Sequence, residues 1–485
     1  MNSTDYPAAP RKSKKRLLIW LAVLLGAPLL LLGTWCLFYA MSNNNAASRL
    51  EQKARKRGEP VTLADIEKQL PAVSDADNAA LALIELWKPE HEELWQAFLD
   101  GVRPLPQPRS RDVRPDVPIV GSRGERPSRT NGLSASALAL ASTHLKEQAA
   151  YLEGLHAALR RPGCRFPIRI AEGYTALLPH LSRLRADAQL LRLEAVVATE
   201  RGDADAAINA LTNAARCSEF LATEPFFISQ LVRLACAAIT VQGTEYLVSR
   251  RALTAIQLSR VEALLERLSL SDGLKTSYLG ERASILGAFT GAGSNPAQSG
   301  ADGEGNASAG YLPRGTGALR LLGLAAADRR LLLQTFDTVL REVDDDTPEA
   351  LARRMKVFEA AVSEARRLPP KIYSGLMLGG MSKAGERFAS AEAKRRAAQV
   401  AVAVERHRLA NGGKVPLNLD ALVPKVRREI PADPFDGQPL RFRVGAPGYV
   451  IYSVGSDLQD NLGLERPPGA TRGKDEFDDT FIIGR

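Results

Sequence analysis

Cysteine and histidine are scarce in this chain of 485 residues, which contains four cysteines and five histidines. Four cysteines are too few for a disulfide-stapled scaffold, and no C-x-x-C pair is present to form a zinc ribbon. No two histidines stand four positions apart, which excludes an H-E-x-x-H zinc helix. The chain also lacks a G-x-S-x-G nucleophile elbow and a G-x-x-x-x-G-K-[ST] phosphate loop. The sequence therefore predicts no catalytic residues and no cofactor-binding residues, and an enzyme would have to use dispersed side chains.

Neither the composition nor the charge is extreme. Hydrophobic residues make up 45% of the chain and charged residues 25%, which is ordinary for a globular protein and excludes wholesale disorder or a multi-span transporter. The net charge is +9, but residues 42–485 carry 59 basic and 54 acidic side chains, which leaves +5 for that part. A nucleic-acid interface needs a concentrated basic patch. We therefore predict no nucleic-acid partner, and the length allows two or three domains.

One long uncharged run lies near the N-terminus. Residues 1–16 end in a basic cluster, and Leu17 to Met41 then follow for 25 residues without a charge. A helix of that length measures about 37 Å, which is enough to cross a hydrocarbon core of about 30 Å. Trp20 lies near one end of the run, and Trp35 and Tyr39 lie near the other, as aromatic residues do at membrane interfaces. We predict a cytoplasmic tail over 1–16 and a transmembrane helix over 17–41.

The flanking charges predict the orientation of this helix. Basic residues concentrate on the cytoplasmic side of membrane proteins, so the N-terminus is expected inside and the bulk of the chain outside. This places a single-pass protein in the cytoplasmic (inner) membrane of a bacterium. A cleaved signal peptide is the alternative, with an apolar stretch of 7–15 residues and small residues before the cut. Here the run is longer, and Phe38 occupies a position that cleavage after Ala40 would reserve for a small residue.

The middle of the chain, residues 42–372, has helical periodicity. Leu177, Leu181, Leu184 and Leu191 recur on one face of a helix, and alternating β-branched runs are nearly absent. Two stretches interrupt this pattern. Residues 101–132 contain six prolines and seven arginines, and residues 291–317 contain eight glycines. We predict an α-helical hairpin array with exposed, mobile loops over 101–132 and 291–317.

One hairpin in the middle resembles a tetratricopeptide unit. Gly202 interrupts the helical pattern, and Ala207, Leu211 and Ala214 follow at the spacing that this repeat uses for its small and apolar contacts. The resemblance implies a pair of packed helices within a scaffold for protein contacts. In an oxidising compartment Cys217 and Cys236 are able to pair across a helical hairpin, and the sequence does not decide whether this disulfide forms.

The pattern changes in residues 373–485. Lys383 to Ala410 has the periodicity of one long helix, and the Asn-Gly-Gly sequence at 411–413 ends it. Residues 440–444 and 449–454 are rich in β-branched and aromatic residues and predict two strands joined by a hairpin. The sequence therefore predicts a small α+β module at the end of a mainly α chain.

This order of motifs resembles the globular region of the major pseudopilin of type II secretion systems. The resemblance covers about 100 residues and rests on a long helix, an Asp-Pro-aromatic turn, a small antiparallel sheet and a Tyr-Ser-x-Gly-x-Asp segment before an acidic tail. The overall plan also resembles uncharacterised membrane-anchored bacterial proteins. The matching residues are Asn411-Gly412, Pro416, Asp433-Pro434-Phe435 and Tyr452-Ser453-Val454-Gly455-Ser456-Asp457.

The pseudopilin resemblance implies a calcium-holding loop in the acidic tail. Calcium takes six to eight oxygen ligands from carboxylates and backbone carbonyls, which such a tail supplies. The alternative is a solvated acidic tail. The candidate calcium ligands are Asp457, Asp460, Asp475 and Asp478.

The chain departs from pseudopilins in its anchor. In that family the membrane segment is the first half of the long helix and follows a prepilin cleavage motif, whereas about 340 residues separate the two segments here. We therefore predict a membrane-anchored, extracytoplasmic scaffold that binds protein partners and reaches the membrane through Leu17–Met41, with a link to envelope or secretion machinery. The alternatives are a structural subunit of a secretion pseudopilus and an anchored hydrolase with dispersed catalytic residues.

Overall fold

A computed structural model describes residues 14–88, 92–100, 114–290, 323–345, 347–367, 371–424, 426–445, 448–467 and 477–485. Within these ranges the chain is mainly helical and carries one three-stranded sheet, as the sequence predicts. The α-helices are α1 (Lys14–Lys56), α2 (Leu63–Gln69), α3 (Ala79–Trp87), α4 (Glu92–Asp100), α5 (Ala135–Glu147), α6 (Ala149–Leu159), α7 (His180–Glu200), α8 (Ala204–Glu219), α9 (Phe227–Arg250), α10 (Ala255–Arg267), α11 (Ser271–Thr290), α12 (Leu324–Arg341), α13 (Pro348–Ala365), α14 (Ile372–Met381) and α15 (Ala384–Ala410). The strands are β1 (Arg441–Val444), β2 (Tyr449–Ser453) and β3 (Asp479–Ile483), and 3-10 helices cover Ile170–Thr175 and Leu419–Leu422.

Several helices begin at side chains that cap their first turn. The Thr62 hydroxyl accepts a hydrogen bond from the N–H of Asp65, whose carboxylate accepts one from the N–H of Thr62. Thr254 and Gln257 form the same reciprocal capping box at α10. Each such cap stabilises a helix by about 1 kcal/mol. The remaining N-cap side chains that accept from the first turn of an α-helix are Asn78, Ser134, Asp203 and Thr347.

The centre of the helical part is formed by α7, α8 and α9, which pack against one another. Gly202 adopts a positive φ of 85°, which allows the short turn between α7 and α8. Ala207, Leu211 and Ala214 are all buried, which is what their spacing in the sequence predicts. Helix α8 ends at Glu219, and α9 begins at Phe227.

Helix α9 is long and apolar enough to cross a membrane, and it alone passes that test over the residues searched, which leave out much of the predicted span in α1 because the side chains of residues 14–23 and 25 are not described. Two thirds of its apolar stretch is buried inside the protein, where it contacts α7, α8, α11, α15 and β3. It also buries polar side chains such as Gln230, Thr240 and Thr244. Its length and hydropathy therefore reflect its position as the core helix of the protein.

The C-terminal segment forms the α+β arrangement that the sequence predicts. The long helix α15 packs against β2 and β3, and the sheet has the order β1-β2-β3 with antiparallel pairing throughout. All five residues of β2 are buried, and Ile451 at its centre pairs with Phe442 on one side and Phe481 on the other. Strand β3 lies within the segment that the sequence suggested was an acidic tail.

This segment shares an apolar core with the helical part. Leu247 and Val248 of α9 belong to the same buried cluster as Val400 of α15, Ile451 of β2 and Phe481 of β3. Burying a side chain of this size contributes about 1.5–3 kcal/mol. Residues 373–485 are therefore packed as part of the larger body, and their stability depends on α9.

The arginine-rich stretch 101–132 is described from residue 114 onwards, and there it differs from the solvated loop that its composition suggests. Val117 is 1% exposed and packs against Val197 of α7. Arg129 pairs with Glu245 and with Glu465. Buried apolar contacts and ion pairs thus fix this part of the stretch to the helical core. The glycine-rich loop 291–317 lies outside the described residues.

Candidate functional site

The first half of α1 is an apolar surface that stands out from the rest of the fold. Its described side chains include nine large hydrophobic residues that are each more than half exposed. Folded soluble domains seldom leave so many large apolar side chains together in water. These side chains are Leu24, Leu29, Leu30, Leu31, Leu32, Trp35, Leu37, Phe38 and Met41.

The second half of the same helix is fixed to the protein body. Ala47 and Ala54 are buried against Leu286 of α11 and Leu333 of α12. Because α1 continues from Lys14 to Lys56 as one helix, no loop separates its exposed half from its packed half. A membrane or partner that holds the exposed half of α1 therefore also fixes the orientation of the rest of the protein.

Ion pairs reinforce this attachment. Glu51 of α1 pairs with Arg329 of α12. Just after the end of α1, an Nη atom of Arg57 lies 2.7 Å from Oδ1 of Asp337, whose side chain is 9% exposed. The side chains of these two pairs are 9–33% exposed, so solvent screens their attraction less than it screens surface pairs. The attachment of α1 to α12 thus combines apolar packing with charge pairing.

A cavity of about 420 Å³ lies where the exposed half of α1 meets the body. One wall is aromatic, and within it the rings of Trp35 and Tyr39 stack with their centroids 5.1 Å apart. The opposite wall comes from α12, α13 and the residue before α14. The cavity is lined by Trp35, Phe38, Tyr39, Ser42, Asn43, Ala327, Arg330, Leu331, Gln334, Glu364 and Lys371.

The polar wall of this cavity carries two cations and one carboxylate. Nη1 of Arg330 donates a weak hydrogen bond of 3.3 Å to Oδ1 of Asn43, and within the described chain its buried Nε has no hydrogen-bond partner. Nζ of Lys371 donates to Oε1 of Glu364 at 3.1 Å, and this hydrogen bond lowers the pKa of Glu364. The cavity therefore has one more positive charge than negative. Sequence reasoning singled out Trp35 and Tyr39 but missed Arg330 and Lys371, which lie 291 and 332 residues beyond Tyr39 and follow no motif.

The predicted calcium ligands meet only in part. Asp478 accepts hydrogen bonds from the N–H groups of Gly463 at 2.7 Å and Asn461 at 3.4 Å. Burial raises the pKa of Asp478, and the nearby carboxylate of Asp460 raises it further. Asp460 itself accepts a hydrogen bond from the hydroxyl of Tyr452 at 3.0 Å. Two of the four candidates thus lie close together and hold the loop over residues 460–464.

The other two candidates do not complete a cluster. Asp457 accepts a hydrogen bond from the N–H of Gln459, within its own turn, and Asp475 lies outside the described residues. Among the side chains that the structure describes, no group of three or more metal-ligating residues is arranged to hold an ion. Calcium binding therefore stays a prediction.

Asp433 connects two of the motifs that carry the pseudopilin resemblance. Its carboxylate is fully buried and accepts hydrogen bonds from the Ser453 hydroxyl at 2.8 Å, the Val454 N–H at 3.0 Å and the Phe435 N–H at 2.9 Å. Nη1 of Arg441 lies 3.0 Å from its second oxygen. The Asp-Pro-aromatic turn and the Tyr-Ser segment thus form one polar centre with a structural role, and sequence reasoning missed Arg441 as its cation.

Two of the histidines, His180 and His156, each pair with one glutamate, and no described histidine belongs to a metal-ligating cluster. Nε2 of His180 lies 2.8 Å from Oε1 of Glu224, and its fully buried ring stacks on Phe166 at a centroid distance of 4.2 Å. Nε2 of His156 lies 2.9 Å from a carboxylate oxygen of Glu194. Each pair joins two segments of the helical part, which is a structural use of histidine.

The cysteines are free thiols in this structure. Cys217 and Cys236 belong to the same buried cluster, and each directs its thiol toward a helix carbonyl, of Asn213 and of Leu184. Burial raises the pKa of Cys236 to about 12 and that of Cys217 well above its usual value. Such thiols are poor nucleophiles, because the thiolate is the reactive form.

The described chain thus offers three features for function. They are the hydrogen bonds around Asp433, the loop over residues 460–464 that Asp478 holds, and the cationic, aromatic cavity beside the exposed half of α1. Comparison with known proteins adds nothing to them: the chain matches no protein-family model, no curated protein and no solved structure.

Proposed function

We propose that this protein is a membrane-anchored scaffold whose extracytoplasmic body binds protein partners. The observation that carries the proposal is the exposed apolar half of α1, which continues without a break into the half that is packed on α12. An uncovered helix of this kind needs an apolar environment, and a bilayer supplies one.

The orientation follows from the charges that flank this helix. The basic cluster over 11–16 precedes the apolar run, which favours an N-terminus in the cytoplasm and a body outside it. We place the protein in the cytoplasmic membrane of a bacterium, as a single-pass protein. The stacked Trp35 and Tyr39 then lie at the outer interface, where such amphipathic rings are favoured.

The proposal of a scaffold is supported by the structural contacts of carboxylates and histidines, the side-chain types that often act in catalysis. The buried carboxylates of Asp433 and Asp478 bind backbone N–H groups, and His180 and His156 each bind one glutamate. Stacked helices usually present surfaces for protein contacts. In this proposal the pseudopilin-like module provides a contact surface toward envelope or secretion machinery, held by the shared core in one position relative to the membrane.

Cysteine labelling in spheroplasts tests the topology. Leu417 is 97% exposed, and of the four native cysteines Cys217 and Cys236 are fully buried. We expect Leu417→Cys to react with a membrane-impermeant maleimide without lysis. The matched control, Ser3→Cys in the predicted cytoplasmic tail, should react only after lysis. Labelling of both positions only after lysis would overturn the extracytoplasmic location, and release of the protein by alkaline wash would overturn the anchor.

Two further measurements separate the scaffold from its alternatives. Mass spectrometry of the intact protein should find residues 1–16 still attached, whereas prepilin processing near the apolar run would favour a pseudopilus subunit. In-cell crosslinking from an exposed position of the module, such as Leu458 at 60% exposure, should capture defined protein partners. A crosslinking pattern unchanged by moving the crosslinker to Ile256 on α10, which is 77% exposed, would contradict a specific surface on the module.

A further inference from the structure

We propose that the cavity between α1 and α12 binds the phosphate of an anionic membrane phospholipid. This inference rests on the membrane anchor proposed above, and it adds a ligand of defined chemistry to it. Three features of the cavity carry it: the depth at which it lies, the pairing of its cations and the chemistry of its two walls.

The depth of the cavity matches the headgroup layer. About 20 helical residues cross the hydrocarbon core, so a helix that enters near Leu17 leaves the core near Leu37. The cavity is lined on α1 by residues between Trp35 and Asn43, which is eight residues or about 12 Å along the helix axis. It therefore begins at the outer edge of the core and extends through the headgroups.

The cations of the cavity are available to a phosphate. Arg330 lines the cavity, and within the described chain its guanidinium has one weak hydrogen bond, of 3.3 Å to the neutral Asn43, and no ion pair. A guanidinium in this state is suited to bind a phosphate through two parallel hydrogen bonds. Lys371 is paired with Glu364, but an ammonium has three donors and keeps capacity for a second acceptor.

The walls of the cavity favour a lipid as the source of that phosphate. The α1 wall is formed by aromatic rings, and toward the N-terminus it continues into Leu29–Leu32, whose side chains are 52–75% exposed. Acyl chains can lie along this surface while the headgroup phosphate reaches Arg330. Free phosphate would gain nothing from the apolar wall, so the geometry favours a molecule with both parts. The single excess positive charge favours a headgroup with net negative charge.

Lipid retention measured by native mass spectrometry tests the proposal. The full chain is placed in nanodiscs of phosphatidylcholine with phosphatidylglycerol and then released, and the phosphatidylglycerol that stays bound is counted. We expect one retained molecule for the native protein. Arg330→Gln should weaken retention roughly tenfold, the effect of one lost charge-assisted hydrogen-bond pair. Arg341→Gln is the matched control, because it removes the same charge from α12 about 16 Å away along the helix and should retain the lipid.

The experiment distinguishes failure of the lipid site from failure of the proposed membrane anchor. Equal retention by the native protein and Arg330→Gln would overturn the lipid site, while membrane fractionation of both proteins would still support the anchor. Displacement of the lipid by millimolar inorganic phosphate alone would show a phosphate site without lipid selectivity and would also overturn the proposal. If Arg330→Gln folds poorly, Arg330→Lys preserves the charge without the planar fork, and we expect it to retain the lipid at an intermediate level.

Discussion

The backbone N–H of Ile482 in β3 donates a hydrogen bond of 2.6 Å to Oε1 of Glu245 in α9, across 237 residues of sequence. Nε of Arg129 lies 3.4 Å from the other oxygen of the same carboxylate, and only 14% of the Glu245 side chain is exposed. Glu245 therefore joins the last strand, the core helix and the arginine-rich stretch at one buried position.

The first prediction concerns the pH dependence of this junction. Burial raises the pKa of Glu245 to about 7, above its usual value of 4.5. The folded protein then binds this proton more tightly than the unfolded chain, so the contribution to stability is full below pH 4.5 and is lost as pH rises through 7. The loss amounts to at most about 3 kcal/mol. The charged groups that face Glu245 are Arg129, Glu465, Lys394 and Arg192.

Chemical denaturation of the native protein and of Glu245→Gln at pH 5, 6.5 and 8 measures this effect. The variant should lose stability less than the native protein as pH rises. Glu465→Gln is the control, because this residue also pairs with Arg129 but its side chain is 45% exposed. It should keep most of the native pH dependence, because burial contributes more to the raised pKa of Glu245 than the charge of Glu465 does. Parallel profiles for the native protein and Glu245→Gln would contradict the prediction.

The second prediction concerns Asp433. Asp433→Ala removes the acceptor of two backbone N–H groups and one partner of Arg441, and it should cost about 3–5 kcal/mol of unfolding free energy. Asp436→Ala is the control, since Asp436 also pairs with Arg441 but lies nearer the surface. Its cost should be about 1 kcal/mol. Equal losses for the two variants in urea denaturation would refute a central role for the buried carboxylate.

The third prediction compares two glycines on α11. A Cβ atom at Gly280 would lie 1.6 Å from the carbonyl oxygen of Pro225, so Gly280→Ala must displace backbone. Among the described residues, a Cβ atom at Gly287 would meet only Cδ1 of Leu63, at 3.9 Å. We expect Gly280→Ala to lower the melting temperature and Gly287→Ala to raise stability by up to about 1 kcal/mol through helix propensity. The opposite order of melting temperatures would contradict the packing described for α11.

The fourth prediction concerns thiol chemistry. Because Cys217 and Cys236 are buried thiols with raised pKa values, they should resist alkylation in the folded protein and react fully in denaturant. Mass spectrometry of the protein purified from cells should find both thiols reduced. A mass lower by two hydrogens, localised to the peptides that contain these residues, would show the disulfide across the hairpin instead.

The fifth prediction concerns calcium. A bound ion would raise the melting temperature of the whole protein at millimolar Ca²⁺, because a ligand that binds the folded state stabilises it. Asp478→Asn should remove that response, and Asp457→Asn should weaken it if Asp457 is also a ligand. The whole chain is needed, because residues 373–485 share their core with α9. Equal melting temperatures in Ca²⁺ and in EDTA would contradict calcium binding. The role of Asp478 would then be to hold residues 460–464.

Local sequence signals were sufficient for much of the fold. The predicted helix from Lys383 to Ala410 corresponds to α15, which begins one residue later, because an apolar face and a glycine stop are both local. The predicted hairpin corresponds to β1 and β2 to within one residue at each end. These elements depend on periodicity and turn residues within about ten positions, which a single sequence records.

Long-range contacts explain what sequence reasoning missed. Strand β3 begins at Asp479 and follows acidic residues, so its pattern indicates a solvated tail until β2 and α9 are placed beside it. Arg129 belongs to a stretch with loop composition, yet its partners Glu245 and Glu465 fix it to the body. Arg330 is one of several arginines on an amphipathic helix, and only the position of α1 makes it part of a cavity.

The junction of Ile482 with Glu245 also sets an order of folding. During synthesis α7, α8 and α9 emerge early and can pair through neighbouring segments, whereas β3 follows α9 by more than 200 residues. Contacts of such sequence separation form late, because the loop between them must close first. Until then Leu247 and Val248 lack the cover of the sheet, beside a bilayer in which α1 is already held by our proposal. A chain that lacks β3 would therefore expose apolar helix surface that is prone to aggregation and proteolysis. Pairing of β3 with β2 would be the step that covers this surface.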